Sequence, residues 1–220
     1  MSLRTLPFRQ YNETDVINMF ALGTGFVNES VLDSSPTSYG DAGVFVTIES
    51  GNLNVDTITY DNAYASYLGK TNYPHVGANQ YPRVSISLKP ATSGDALIGM
   101  TLRQTAKTDE NGEKLLYYPQ KAEELMCMLP GQAVPVATRG IFTLDDAAFT
   151  AAIGTGAGQI GIGGGLALSS GTSGRLTGCA ITNPARVALV IATGSRTYTA
   201  STANLVDPLS GSYAIIGLGL

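Results

Sequence analysis

Short runs in which apolar and small polar residues alternate constrain this chain more than any other feature of its sequence. The clearest run extends from Arg83 to Lys89, and the run from Leu53 to Tyr60 has the same period of two. This period puts apolar side chains on one face of an extended strand, whereas a helix needs a period near 3.6. Glycine supplies the tight turns that strands need, and 26 of the 220 residues are glycine. We therefore expect a mainly β fold.

The pattern divides the chain into three segments. Residues 1–40 show no sustained period, which predicts an extended N-terminal arm in which only Glu13 to Leu22 could form a short helix. Residues 41–128 are predicted to form an additional β-rich region that carries a Tyr-rich loop over Asp61 to Pro82. Residues 129–220 hold short strand candidates separated by Gly/Ser turns, which predicts a small β-barrel or sandwich in the C-terminal half.

Several local signals predict individual elements. The Asn-Gly pair within Asp109 to Lys114 predicts a hairpin turn, with Leu115 to Tyr118 completing the hairpin. Pro119 to Met128 is predicted as a short helix with proline in its first turn. The capping-box pattern Thr143 to Asp146 predicts a second short helix that continues through Ile153. Gly194-Ser195 is predicted to be a turn between two strands.

The charge balance excludes several classes of partner. The net charge is −4 and the sequence contains no long basic run, so we expect no nucleic-acid binding. No apolar run approaches the roughly 20 residues that a membrane-spanning helix needs, and Met1 to Arg4 opens no secretory signal. Only 14% of residues are charged, and a surface so poor in charge suits a protein that packs against neighbours.

The residue types that catalysis needs are scarce and badly placed. His75 is the single histidine, which excludes a multi-His zinc site and leaves one candidate imidazole base in a loop. Cys127 and Cys179 lie in no recognisable nucleophile context, and we expect two free thiols, with a structural bridge as the alternative. Gly156 to Gly161 matches G-x-G-x-x-G, but the tract lacks the preceding strand and following acid that a dinucleotide site requires.

Two pairs of adjacent carboxylates also fail as catalytic candidates. Glu123-Glu124 and Asp145-Asp146 are neighbours in sequence, and neighbouring side chains point apart on a helix or strand. We accordingly predict no catalytic residue, no cofactor and no metal, and expect that the protein is not an enzyme.

Apolar and aromatic residues in the arm and the Tyr-rich loop are the candidate partner-binding residues. Tyrosine gives a large, rigid contact area at low entropic cost, which is why it is enriched at interfaces. A core-closing role for these rings is the alternative. The candidates in the arm are Leu3, Leu6, Phe8, Tyr11, Met19 and Phe20, and those in the loop are Tyr60, Tyr64, Tyr67, Tyr73 and Tyr81.

Three stretches of the last 90 or so residues resemble a known family. Leu129 to Gly140 resembles the opening of the small β-domain of tailed-bacteriophage head decoration, or cement, proteins. The turn-and-strand pattern from Leu166 to Thr177 and the Val-rich strand from Arg186 to Ile191 fit the same domain. The first 128 residues have no counterpart in that comparison, and the Gly-rich tract from Gly154 to Leu168 is an insertion that the compact members lack.

The resemblance implies a structural virion protein on the capsid surface, made in the host cytoplasm. Such a protein is often trimeric, binds the major capsid protein and bridges its subunits after the shell expands. A protein that binds only the assembled shell stabilises the shell by mass action. Two other interpretations stay open: a tail, neck or baseplate component, and a carbohydrate-binding β-sandwich that uses the Tyr-rich loop. The absence of tryptophan argues against the carbohydrate-binding interpretation.

Overall fold

A computed structural model describes residues 5–22, 26–33, 39–49, 87–155, 159–196 and 211–219. Within these ranges the chain is mainly β, as predicted, and its strands form a six-stranded sheet, a closed five-stranded barrel and a three-stranded sheet. The predicted strand from Leu53 to Tyr60, the Tyr-rich loop and His75 lie outside the described residues.

The six-stranded sheet is antiparallel throughout. Its order is β1 (Thr5–Gln10), β10 (Gly140–Asp145), β14 (Gly211–Leu218), β13 (Arg186–Arg196), β11 (Gly165–Leu168) and β12 (Leu176–Cys179). β1 and β12 are its edge strands. All strands of the sheet except β1 come from residues after 139, so the C-terminal part of the chain builds this layer.

The barrel takes its strands from residues 16–137. Its order is β2 (Val16–Leu22), β5 (Ser87–Pro90), β4 (Phe45–Ile48), β6 (Gly99–Thr101) and β9 (Val134–Ala137). The period of two explains how the barrel packs on the sheet: Val46 and Val136 belong to one buried cluster, whereas Phe45 and Ala137 join the core that the sheet's inner face builds. Both faces of these strands are therefore buried.

The third sheet is parallel and carries the described α-helix. It runs in the order β3 (Asn28–Ser30), β7 (Gln104–Thr108) and β8 (Cys127–Met128). Helix α1 (Pro119–Glu124) begins at proline as expected but ends four residues earlier than predicted. A small buried cluster that includes Leu115, Ala122 and Leu129 joins the helix to this sheet.

The Asn-Gly turn is confirmed, and a buried carboxylate holds it. Gly112 has a φ of 84°, and the Asp109 N–H donates to the Glu113 carbonyl at 2.9 Å. The Asp109 carboxylate accepts the N–H groups of Asn111 and Glu113, each at 2.8 Å, and contacts the Lys121 ammonium. The bond from Lys121 is the largest cause of the lowered pKa of Asp109. Leu115–Tyr117 then forms a 3-10 turn, so the predicted hairpin strand is absent there.

The predicted helix over Glu13 to Leu22 is wrong. Glu13–Asp15 forms only a 3-10 turn, and Val16–Leu22 is strand β2. Pairing with β9 and β5 supplies the backbone hydrogen bonds that a helix would have made within itself. Phe20 and Leu22 alternate into the barrel, so this part of the expected arm belongs to the core. Deleting residues 1–40 would therefore remove a strand of the barrel, so this segment is not an arm separate from the folded core.

Two further local predictions, a helix that begins at Thr143 and a turn at Gly194-Ser195, are wrong because these residues pair with β14. Thr143 and Asp145 lie in β10, paired with Ile215 and Tyr213 of β14, and only a 3-10 turn, Asp146–Ala148, follows. Gly194 is not in a turn but inside β13, where Tyr213 is its partner. A Cβ on Gly194 would lie 2.6 Å from the Tyr213 ring, so the missing side chain makes room for the aromatic ring.

Candidate functional site

The predicted partner-binding residues of the arm do not share one surface. Leu6 and Phe20 are buried, so their side chains belong to the core and are not exposed for binding a partner. Phe8 is 72% exposed. The Tyr11 ring stacks on Phe142 with 5.8 Å between ring centroids. Leu3 and the five loop tyrosines lie outside the described residues.

The outer face of the six-stranded sheet carries apolar residues of which the sequence predicted only Phe8 as a contact residue. On β10, Phe142 and Leu144 point into the core, so Ile141 points outward and is 38% exposed. Cross-strand pairing continues this outer face, since Ile141 opposes Gly217, which in turn opposes the half-buried Leu189. We call this surface the sheet face: Phe8, Gln10, Ile141, Leu189, Ile191 and Ile215.

Phe8 and Ile191 extend the sheet face at its two sides. Phe8 stands two residues before the exposed Gln10, whose Cα partner is Ile141. Ile191 lies at the irregularity in β13 between Val190 and Ala192 and is 40% exposed. Thr143, on the same side of β10 as Ile141, is buried, so the exposed apolar side chains of the sheet face are Phe8, Ile141 and Ile191. Apolar side chains that form a large exposed patch are typical of interaction surfaces.

A groove of about 610 Å³ lies where β1 and β2 approach the loops around β7, β8 and β9. Its size falls in the range of ligand-binding clefts. Two guanidinium groups enter it: Arg9, 6.0 Å from the centroid of the Tyr11 ring, and Arg103, which donates to Glu123 at 2.9 Å. Its lining is Arg9, Tyr11, Glu13, Val16, Asn18, Leu102, Arg103, Met126, Met128, Ala133 and Pro135.

Met126 has an unusual backbone at the rim of this groove. Its φ is 50°, the left-handed region, and among the described residues it is the one non-glycine with positive φ. It follows the C-cap Leu125 of α1, and its N–H donates to the Glu123 carbonyl at 2.9 Å. Glycine is the usual residue at this position because it lacks the Cβ that makes the conformation costly. This backbone was not predicted, since the helix was expected to continue through Met128.

The Asp145 carboxylate contacts the backbone of its neighbour Asp146 at the end of β10. The Asp146 N–H donates to Asp145 Oδ1 at 2.6 Å. Burial, followed by the hydrogen bond and charge of the Asp146 side chain, raises the pKa of Asp145 to about 6. The pair caps the short 3-10 turn at the end of β10, which accounts for its geometry structurally.

The remaining candidate chemistry is sparse in the described ranges. Cys127 and Cys179 are free thiols, as expected, and burial raises the pKa of Cys127 to about 11. Of the Gly156–Gly161 motif, the structure describes Gln159, Ile160 and Gly161, and Ile160 is packed into the main core. Among all the residues that the structure describes, no three His, Cys, Asp or Glu side chains lie close enough together to hold a metal ion. Nor does any described helix have the length and apolar character needed to cross a bilayer.

Comparison of the chain with protein families, with curated proteins and with solved structures found no match.

Proposed function

We propose that this chain is a structural virion protein that binds the outside of a phage capsid and stabilises the shell by bridging major capsid protein subunits. The observation that carries its binding role is the sheet face, on which Phe8, Ile141 and Ile191 are exposed. Burying such side chains against a partner releases roughly 25 cal/mol per Å² of apolar surface. The low charge of the chain, 14% charged residues, fits a surface built for burial.

The assignment to a capsid rests on the resemblance to head decoration proteins. The stretches that carry it contribute β9, the β11–β12 hairpin and part of β13. Two of these strands, β11 and β13, pair directly within the six-stranded sheet that presents the sheet face. We further propose that the protein acts as a homo-oligomer, with a trimer favoured, and that binding needs no cofactor and no catalytic residue.

Copy number in purified particles is the first test. Quantitative mass spectrometry against the major shell protein should find many copies in a simple ratio to the shell subunit. A few copies, as the single tail vertex would hold, would move the protein to the tail, neck or baseplate. Complete absence from particles would refute the virion role.

The sheet face is tested by substitution. Phe8→Ser should weaken binding to purified expanded shells by about tenfold or more, as loss of an aromatic anchor does at other interfaces. Leu32→Ser is the matched control, since Leu32 is 52% exposed and lies after β3 in a different sheet. Both variants should melt like the wild type because both side chains are exposed. Wild-type binding by Phe8→Ser would contradict the role of the sheet face.

A further inference from the structure

Asn111 and Gly112 form the tip of the turn after β7, away from the sheet face and outside the groove lining. Both residues are exposed. An asparagine that precedes glycine is chemically labile, because the next backbone nitrogen can approach the side-chain amide carbon with no Cβ in the way. The pair therefore combines a turn with a potential reaction between neighbouring residues.

The Gly112 nitrogen is held less firmly than the backbone nitrogens on either side of it. The Asn111 and Glu113 N–H groups donate to the Asp109 carboxylate, each at 2.8 Å. The Gly112 N–H donates to the Asp109 carbonyl oxygen at 3.3 Å, beyond the usual range of about 2.7–3.2 Å. A Cβ on Gly112 would have no heavy atom within 4 Å outside the two adjacent residues. Attack by this nitrogen therefore costs one weak hydrogen bond, and the turn has room for the movement.

We propose that Asn111-Gly112 is a site of spontaneous deamidation in the folded chain. The Gly112 nitrogen forms a bond to Asn111 Cγ, the bond from Cγ to the amide nitrogen breaks, and ammonia leaves with the proton of the Gly112 N–H. The product is a cyclic imide. Water then opens the ring at one of its two carbonyl carbons and leaves either aspartate or isoaspartate at position 111. Nothing is oxidised or reduced, and water is the only co-reactant.

The isoaspartate product breaks the anchor of this turn. It places an additional carbon in the main chain between the nitrogens of residues 111 and 113, which both donate to the same Asp109 oxygen. The lengthened chain cannot keep both bonds. The Asp109 side chain is fully buried, and its other oxygen contacts Lys121 of α1. Since a buried carboxylate that loses hydrogen-bond donors is costly, the modification weakens the link between β7 and α1.

The test incubates the full chain at mildly alkaline pH, which favours loss of the N–H proton, and maps its peptides by mass spectrometry. Aspartate and isoaspartate should accumulate at position 111 in the folded chain, and more slowly at mildly acidic pH. Asn12 is the internal control: it is exposed like Asn111, but Glu13 follows it, and it should remain an amide while Asn111 is converted. A parallel incubation in urea measures the reaction of the unfolded chain. Asn111→Gln should lose the reaction at this position, because its longer side chain would have to close a larger ring.

Thermal unfolding tests the link to Asp109. The isoaspartate form, identified by peptide mapping in fractions from ion exchange, should have a Tm lower by roughly 4–8 °C, since it loses hydrogen bonds to a charged acceptor. Asn111→Asp is the matched control, because it adds the same charge without lengthening the main chain. Its Tm should stay within about 2 °C of the wild type.

The outcomes separate the reaction from its structural effect. Conversion in urea but not in the folded chain, or conversion of Asn12 before Asn111, would overturn the modification site. An isoaspartate form that melts like the wild type would overturn the loss of the Asp109 anchor. Both results are independent of whether the chain binds shells.

Discussion

Closure of the barrel depends on Gly99, and Gly99→Ala tests it. Gly99 belongs to β6, which pairs with β9 through Met100 opposite Ala137 and Thr101 opposite Val136. A Cβ on Gly99 would overlap the Ala137 carbonyl oxygen and lie 2.8 Å from Val136 Cγ1 and 2.9 Å from the Ala137 carbonyl carbon. Two of these three atoms are backbone, so a rotamer change cannot relieve the overlap and β9 itself must shift.

The expected cost follows from this geometry. Overpacking a well-filled core usually costs about 1–3 kcal/mol, and a clash with backbone belongs at the upper end of that range. For a chain of this length, about 3 kcal/mol lowers the Tm by roughly 6–12 °C. Gly171→Ala is the control, since a Cβ there has no heavy atom within 4 Å and the φ is not positive. The control should change the free energy of unfolding by less than about 1 kcal/mol.

Urea denaturation followed by circular dichroism measures both variants. The midpoint should fall for Gly99→Ala, with the slope m unchanged if unfolding remains two-state. A Gly99→Ala protein as stable as Gly171→Ala would refute the pairing of β6 with β9, and with it the closed barrel.

Two further substitutions test the sheet. Phe142→Ala removes a fully buried ring and should lower the free energy of unfolding by about 3–5 kcal/mol in urea titration; a loss below about 1 kcal/mol would contradict its central place in the core. Asp145→Asn tests the raised pKa of about 6. Because the folded pKa exceeds the ordinary value of 3.8, the wild type loses stability as pH rises from about 4 to about 6 and stays lower above that. The asparagine variant should lack this loss and be more stable at pH 7 by about 1 kcal/mol, after allowance for solvent screening of a half-exposed group. Equal pH profiles for the two proteins would refute the raised pKa of Asp145, whose largest cause is burial.

Apolar side chains of the N-terminal segment divide between the core and the surface. Phe8 was predicted as a contact residue and is exposed, while Leu6 and Phe20, predicted by the same argument, are buried. Apolar character alone cannot separate the two outcomes, because it favours the core and an interface equally. The groove had no sequence signal, since Arg9 and Arg103 belong to distant segments that only the packing of β1 against the loop after β6 brings together.

Local chemistry in the sequence determined the β class, the turn at Asn111-Gly112 and the start of α1 at Pro119. These features depend on a few neighbouring residues: a period of two, a glycine with positive φ, or a proline in a first helical turn. Tertiary structure alone decided that Val16–Leu22 is a strand, that Gly194 lies beneath Tyr213 and that Met126 adopts a left-handed backbone. β2 pairs with β5 and β9, and Gly194 pairs with Tyr213, all of which are distant in sequence. Met126 follows a helix that ends four residues earlier than predicted. Pairing and burial between such segments outweigh local propensity because they satisfy backbone hydrogen bonds and remove apolar surface from water together.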